Sequence, residues 1–374
     1  MSVETKQVPA DPKAHLLQDF SKEPGLLQID LDKENPDTLR GYYRQMVLLR
    51  HFEERTAEMY TKARIGGYCH LNLGEEATIV GLMAALRPED YIFTNYREHG
   101  YILARGASPG QVMAELFGRE TGISKGRGGS MHLFDKDLHF MGGYAIVGGQ
   151  IPLATGYALA LQYQGQNGAV LAQMGDATTN IGAFHESLNL ARIWNLPVIF
   201  LIVNNGYGMG TSVKMAAAEP DLYKRAAAYN FAGERVDGND LLAVREVTRR
   251  ALERAARGEP TLIEAISHRF KGHSVVDPDR YRDPELVKSF RADDPIPAFA
   301  HRLERSGILT VEQEDQILKE VRQEVQDAID FAEKSPTPPV DSLFEYMYAT
   351  PVANAIDPQW ENYQETLQDS KEAS

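Results

Sequence analysis

A carboxylate at Asp176 and a side-chain amide at Asn205 are the groups in this chain best suited to chemistry. They stand in Gly175-Asp-Ala-Thr-Thr-Asn180 and Asn204-Asn-Gly-Tyr207. Their oxygens are hard donors of the kind Mg²⁺ takes, and that ion is commonly held by one or two such groups together with ligand phosphates. Brought together, the pair is half of a metal cage awaiting a diphosphate. Taken singly, each has a plainer use: Asp176 as a helix N-cap, the asparagines as turn formers.

The segments around them decide between these uses. Ala169-Val-Leu-Ala-Gln-Met174 is a short apolar run that predicts a buried strand ending just before Asp176. Phe184, Leu188, Leu190, Ala191 and Trp194 follow at near-helical spacing, Asn195-Leu196-Pro197 breaks the helix, and Val198–Val203 predicts a second buried strand. Strand, helix and strand form a right-handed crossover with parallel strands, so Asp176 and Asn205 emerge at one carboxyl edge. Open α/β sheets bind ligands at that edge. The expected class is α/β, with a doubly wound, mostly parallel sheet.

Further candidates lie on either side. Leu39, Tyr42, Tyr43, Met46, Val47, Leu49, Phe52 and Met59 describe a long amphipathic helix ending near Gly66-Gly67. His70 follows in a turn, where position alone suits a core histidine, and Gly74-Glu75-Glu76-Ala77 opens a second helix. Tyr91–Thr94 predicts a strand. Arg97 lies just past it, placed either to grip phosphate with two parallel hydrogen bonds or to pair with a nearby carboxylate. The glycine-rich stretch 122–149 lets backbone groups approach a ligand closely, but it holds no Gly-x-x-x-x-Gly-Lys-Ser/Thr loop. Gly206-Tyr-Gly-Met-Gly210 invites a dinucleotide reading and fails it, because the third glycine falls at 210 where the spacing needs 211. Thr261–Ile266 predicts another strand. Beyond it His273 heads a charged, proline-marked loop, a placement suited to an acid or base over a ligand. Thr310 and Gln313 then form a capping box ahead of a stripe of Ile317, Val321, Val325 and Ile329.

With 374 residues, 43% of them hydrophobic, the chain can bury a proper core. A formal net charge of −14 argues against a nucleic-acid or anionic-membrane surface. The lone cysteine, Cys69, leaves no internal disulfide framework and fits a reducing, cytoplasmic setting; the first residues read as neither signal nor transit peptide. The expected organisation is an extended arm over 1–36, an α/β domain over 37–300, a helical segment over 301–340 and a polar tail over 341–374.

Taken in order, Tyr68-Cys-His-Leu71, Gly74-Glu-Glu-Ala77, Tyr96-Arg-Glu-His-Gly100, Gly128-Gly-Ser-Met-His132, Ile146-Val-Gly148, the Gly175-Asp…Asn204-Asn pair, Tyr207-Gly-Met-Gly-Thr-Ser212 and Gly272-His-Ser-Val-Val-Asp-Pro278 carry a family resemblance. They resemble the α subunits of the thiamine diphosphate-dependent pyruvate dehydrogenase component, of the 2-oxo-acid dehydrogenase family, over residues from about 38 to 345. The resemblance implies a sheet of the thiamine diphosphate-binding type with a helical C-terminal extension. It implies oxidative decarboxylation of pyruvate with reductive acetylation of a lipoyl group on the acetyltransferase component. Asp176, Asn205 and the Tyr207 carbonyl would hold Mg²⁺. Tyr96, Arg97 and the backbone at Gly175, Ala177 and Thr178 would hold the diphosphate, and Ala145 and Val147 would touch the aminopyrimidine. His70 and His273 would line the reaction centre as the catalytic pair, with His70 and Tyr96 facing substrate and His273 also touching the cofactor. Ser274 matches a serine phosphorylated in animal members. The chain departs from the family at Ala177 and Ala145, where glycine is usual, and at Ile181, where animal members commonly carry glutamine. After Ser267 no further strand and helix series follows, so the resemblance also implies a separate β subunit in an α₂β₂ assembly. Neighbouring readings are an acetoin or branched-chain 2-oxo-acid dehydrogenase α subunit and, from another class, a cofactor-free scaffold.

Overall fold

Six parallel strands make up the central sheet in the computed structural model, which describes residues 29–346. They are β1 (Tyr91–Asn95), β2 (Phe140–Tyr144), β3 (Val170–Gly175), β4 (Val198–Asn204), β7 (Ala232–Asp237) and β8 (Thr261–Ile266), in the order β2-β1-β3-β4-β8-β7. A two-stranded antiparallel ribbon, β5 (Tyr207–Gly208) with β6 (Thr211–Ser212), stands apart. Its turn places Met209 at φ 53°, and this hairpin is what the glycines after Asn205 build in place of a dinucleotide loop. Most of the expected arm at 1–36 and of the tail at 341–374 lies outside the described residues. The chain divides into two units, 1–337 and 338–374; the described part of the second is a 3-10 turn at Val340–Phe344.

Burial explains why the middle strands form. In β4 every residue is buried, and successive side chains go to opposite faces. Ile199, Leu201 and Val203 join one apolar cluster, while Val198, Phe200 and Ile202 join another. The first cluster is filled by α1 (Pro36–Thr61), α2 (Glu76–Ala85), α3 (His99–Arg105) and α4 (Pro109–Leu116). The second is filled by α5 (Gln150–Tyr163) and α6 (Gly182–Ile193), together with Val213 of the short α7 (Val213–Ala216). Later helices return to the first face: α8 (Leu241–Ala255), then, past α9 (Pro284–Ala292), α10 (Pro295–Arg305) and α11 (Val311–Lys334). Thr310 and Gln313 close the expected capping box at the start of α11, whose Val321, Val325 and Ile329 are buried. Helices on both faces of a parallel sheet make the fold α/β and doubly wound.

Strand order fixes the position of the crevice. From β1 the chain crosses to β2 on one side, and from β3 it crosses to β4 on the other, so the connections diverge between β1 and β3. Gly175 is level with Val203, which sets Asp176 beside Asn204 at the carboxyl edge. Both edge strands escaped the sequence reading. β2 carries Gly142-Gly143, and β7 carries Glu234-Arg235 and is half-exposed along most of its length, so neither has the continuous apolar run of a buried strand.

Candidate active site

A cavity of about 600 Å³ opens at that carboxyl edge, and every site candidate read from the sequence lines it. Tyr96 and Arg97 come from the turn after β1, and Gly175, Asp176, Ala177 and Thr178 from the end of β3 and the 3-10 turn that follows. Asn205 and Tyr207 come from the end of β4 and the ribbon, Ala145 and Val147 from the segment after β2, and His70 and His273 from two loops. Ser274 lines it as well.

At one end stand Asp176 and the paired asparagines, which do different work. Asn204 is fully buried: its amide donates to Glu264 Oε1 at 2.6 Å and its oxygen accepts the Gly206 N–H at 2.9 Å, which bends the chain out of β4. Asn205 is thereby turned into the cavity. Burial raises the Asp176 carboxyl to about 6, since a charge there has lost water, and backbone hydrogen bonds and the Arg269 charge offset that loss only in part. A divalent cation would restore that loss. Among the described residues no cluster of three or more His, Cys, Asp or Glu side chains could hold a metal, so a cation here would rest on mixed carboxylate, amide and carbonyl donors and on oxygens of its own ligand. The methyl of Ala177 is accommodated because residue 208 is glycine: a Cβ there would lie 2.3 Å from it. Two buried guanidiniums, Arg97 and Arg269, face the same space, and Arg269 falls to about 10 through burial and the nearby Arg97 charge. Paired buried cations beside a metal-type carboxylate suit a metal-bound diphosphate.

At the other end the two histidines meet edge to face, ring centroids 5.1 Å apart, with the Tyr96 ring 4.4 Å from His70 and 5.7 Å from His273. Their loops are laced together: the Phe270 N–H donates to the Leu73 carbonyl and the Val275 N–H to the Cys69 carbonyl, both at 3.0 Å. Cys69, Leu71, Leu73, Phe270, Leu286 and Phe290 pack beneath. Arg97 clips the loops from the side, donating to the carbonyls of Leu71 at 2.5 Å and His273 at 2.9 Å. A guanidinium has five N–H donors, so this clip leaves others for a ligand. Burial, reinforced by the Arg97 charge, lowers His70 to about 3 and His273 to about 4, so both rings are neutral at pH 7. Among the described residues neither Nδ1 has a hydrogen-bond partner. The loop beyond His273 is tied down by its own charges: Asp277 accepts the His273 N–H at 2.6 Å and the Tyr281 hydroxyl at 2.7 Å, while Arg282 donates to the carbonyls of Arg269 and Lys271, both at 2.6 Å.

The glycine-rich stretch behaves differently from the expectation in its first half. Glu115 of α4 is enclosed there, its Oε2 accepting the N–H groups of Ser124 and Gly126 and its Oε1 those of Gly128 and Gly129, over 2.7–3.1 Å. Those backbone donors serve the protein's own carboxylate; from the whole stretch, Met131 before β2 and Ala145 and Val147 after it line the cavity. Sequence reasoning also passed over Arg269 and Glu75 as site residues. Arg269 lies beyond the carboxyl end of β8, and the edge argument that selected Asp176 applies to it equally.

A model of the dehydrogenase E1 component family matches residues 44–341. The chain belongs to that family. It is 45% identical over 310 residues to the pyruvate dehydrogenase E1 component subunit alpha of Rhizobium meliloti, covering 82% of this chain and 89% of the relative. The Zymomonas mobilis protein of the same name is 43% identical over 311 residues, covering 82% and 88%. The human somatic, mitochondrial form is 43% identical over 312 residues, covering 83% and 79%. Members from bacteria and a mammal thus align with this chain across the sheet and the cavity. No helix among the described residues is long and apolar enough to cross a membrane.

Proposed function

We propose that this chain is the α subunit of a pyruvate dehydrogenase (acetyl-transferring), which decarboxylates pyruvate oxidatively and passes the acetyl group to the lipoyl domain of a dihydrolipoyl acetyltransferase. The observation that carries the reading is the convergence of Asp176, Asn205, two buried guanidiniums and two neutral histidines on one cavity at the switch point of the sheet. Asp176, Asn205 and the Tyr207 carbonyl would hold Mg²⁺, with Arg97 and the backbone at Gly175, Ala177 and Thr178 holding the diphosphate of thiamine diphosphate. That cofactor, when bound, supplies an electron sink for loss of CO₂. Tyr96 and the His70–His273 pair keep water from the reaction centre, and each histidine, neutral with a free Nδ1, offers a nitrogen to take up or return a proton. A β subunit completes the site in an α₂β₂ assembly. In support, this chain has no strand among its described residues after β8, and the exposed apolar side chains of Tyr68 and Met209 line the cavity. A reducing, cytoplasmic setting accords with the single buried cysteine, whose thiol burial pushes up to about 12.

The test is to assay this chain alone and co-expressed with its β subunit. The pair is expected to bind thiamine diphosphate only with Mg²⁺ and to decarboxylate pyruvate in preference to acetoin and branched 2-oxo acids; the chain alone is expected to be inactive. Full activity of the chain alone, or no Mg²⁺-dependent binding by the pair, would overturn the proposal.

A further inference from the structure

Two carboxylates line the cavity, and the reading above uses only Asp176. The other, Glu75, sits at the N-cap of α2 without capping it: its side chain accepts no N–H from the first turn. A carboxylate in that position ordinarily serves the helix terminus. Here the neighbouring Glu76 accepts the Gly74 N–H, at 3.0 Å, and pairs with Arg50, while Glu75 is turned the other way. Its Oε1 lies 3.8 Å from Arg97 Nε, and its Oε2 accepts the Asn72 amide at 3.0 Å. Asn72 is itself locked, accepting the Gly100 N–H at 2.9 Å and giving its own N–H to Glu53 at 2.8 Å. Its amide also reaches the Arg97 backbone carbonyl at 3.3 Å, so one side chain ties the Glu75 carboxylate to the stretch of backbone that carries Arg97.

We propose that Glu75 is a positioning residue, the resident counter-anion that holds Arg97 on the cavity wall until a diphosphate takes its place. The inference rests on the cofactor reading above. The charged and titratable groups facing Glu75 are Arg97 and Arg269, which favour its anion, and Glu76, which opposes it, with the phenols of Tyr96 and Tyr101 alongside. Burial already favours the acid form of Glu75. A diphosphate on the same guanidinium adds like charge beside it, so loading is accompanied by proton uptake at Glu75.

The experiment uses the assembled α and β chains stripped of cofactor, titrated calorimetrically with inorganic pyrophosphate and with thiamine diphosphate plus Mg²⁺ in buffers of different ionisation enthalpy. Glu75→Gln keeps an acceptor for Asn72 and removes the charge. It is expected to bind both ligands about tenfold more tightly than the wild type and to lose the proton uptake, whereas a merely structural role would weaken binding. If Glu75→Gln does not assemble, the wild type decides: its infrared difference spectrum on adding pyrophosphate should gain a protonated-carboxyl band, and no such band would overturn the inference. Equal affinities and equal proton counts in both proteins would overturn it while leaving the cofactor reading intact. Failure of both proteins to bind either ligand would overturn the cofactor reading and this inference with it.

Discussion

His70 and His273 reach the cavity from different loops, yet the same cause keeps both uncharged: they have lost water and they face Arg97. An unfolded chain would protonate each near 6.5, and the folded chain does so only at about 3 and about 4. The unfolded state therefore holds more protons below about pH 6.5, so the stability from these groups is complete above that pH and is lost as the pH falls toward 4. Asp237, which burial raises to about 6, works in the opposite sense, so the informative quantity is a difference. Urea midpoints of wild type and His70→Gln, measured from pH 7.5 to 4.5, should converge as the pH falls, because the variant lacks the acid-labile term; parallel curves would contradict the assignment. At this scale the sequence was informative where a single polar residue closed a recognisable strand, as Asp176 does and Asn205 nearly does. Arg269 and Glu75 were hidden because each stands among other charged residues, in His268-Arg-Phe-Lys and in Gly-Glu-Glu-Ala, and only packing tells which one faces the cavity.

What made β3, β4 and β8 legible is that each is buried along its length, so the apolar run is itself the signal. β2 and β7 lie at the sheet's edges, and their residues answer to local contacts that no period records. In β2 the contact is Gly143 against Glu98. The Glu98 carboxylate is fully buried, accepts the Leu133 N–H at 2.8 Å, and is pushed well above the usual carboxylate range by burial. A Cβ at residue 143 would lie 2.1 Å from that carboxylate, so the Glu98 side chain or β2 would have to shift. Gly143→Ala is accordingly expected to destabilise the chain by about 1–3 kcal/mol, as overpacked interiors do. Urea denaturation would check this, and an unchanged midpoint would show that β2 can shift. The glycine-rich segment before β2 carries the same lesson: its backbone N–H groups were expected at a ligand, and Glu115 takes four of them. Glycine content reports that something approaches the backbone, not what does.

Across the whole molecule, a net charge of −14 argues against a nucleic-acid or anionic-membrane partner but does not say which surface another protein would cover. The described sheet supplies one α/β layer to the cavity, whose lining includes two large apolar side chains in water, Tyr68 at 65% exposure and Met209 at 63%, while Ile146, at 78%, stands between two lining residues. Single exposed apolar residues are ordinary, but several around one opening form the kind of patch that contacts between protein chains use. Ile146 separates Ala145 and Val147, both of which line the cavity, so a partner seated on it would also close the site. A charge at that position costs the isolated chain little, since the side chain is mostly in water, with an expected change within about 0.5 kcal/mol. The same charge trapped under a partner would be buried without a counter-ion, a far larger penalty. Ile146→Asp should therefore melt like the wild type when purified alone, yet fail to co-elute with the β subunit on size exclusion and give no decarboxylase activity with it. Normal assembly of Ile146→Asp would place the subunit contact elsewhere on the chain and leave the cavity mouth open to water.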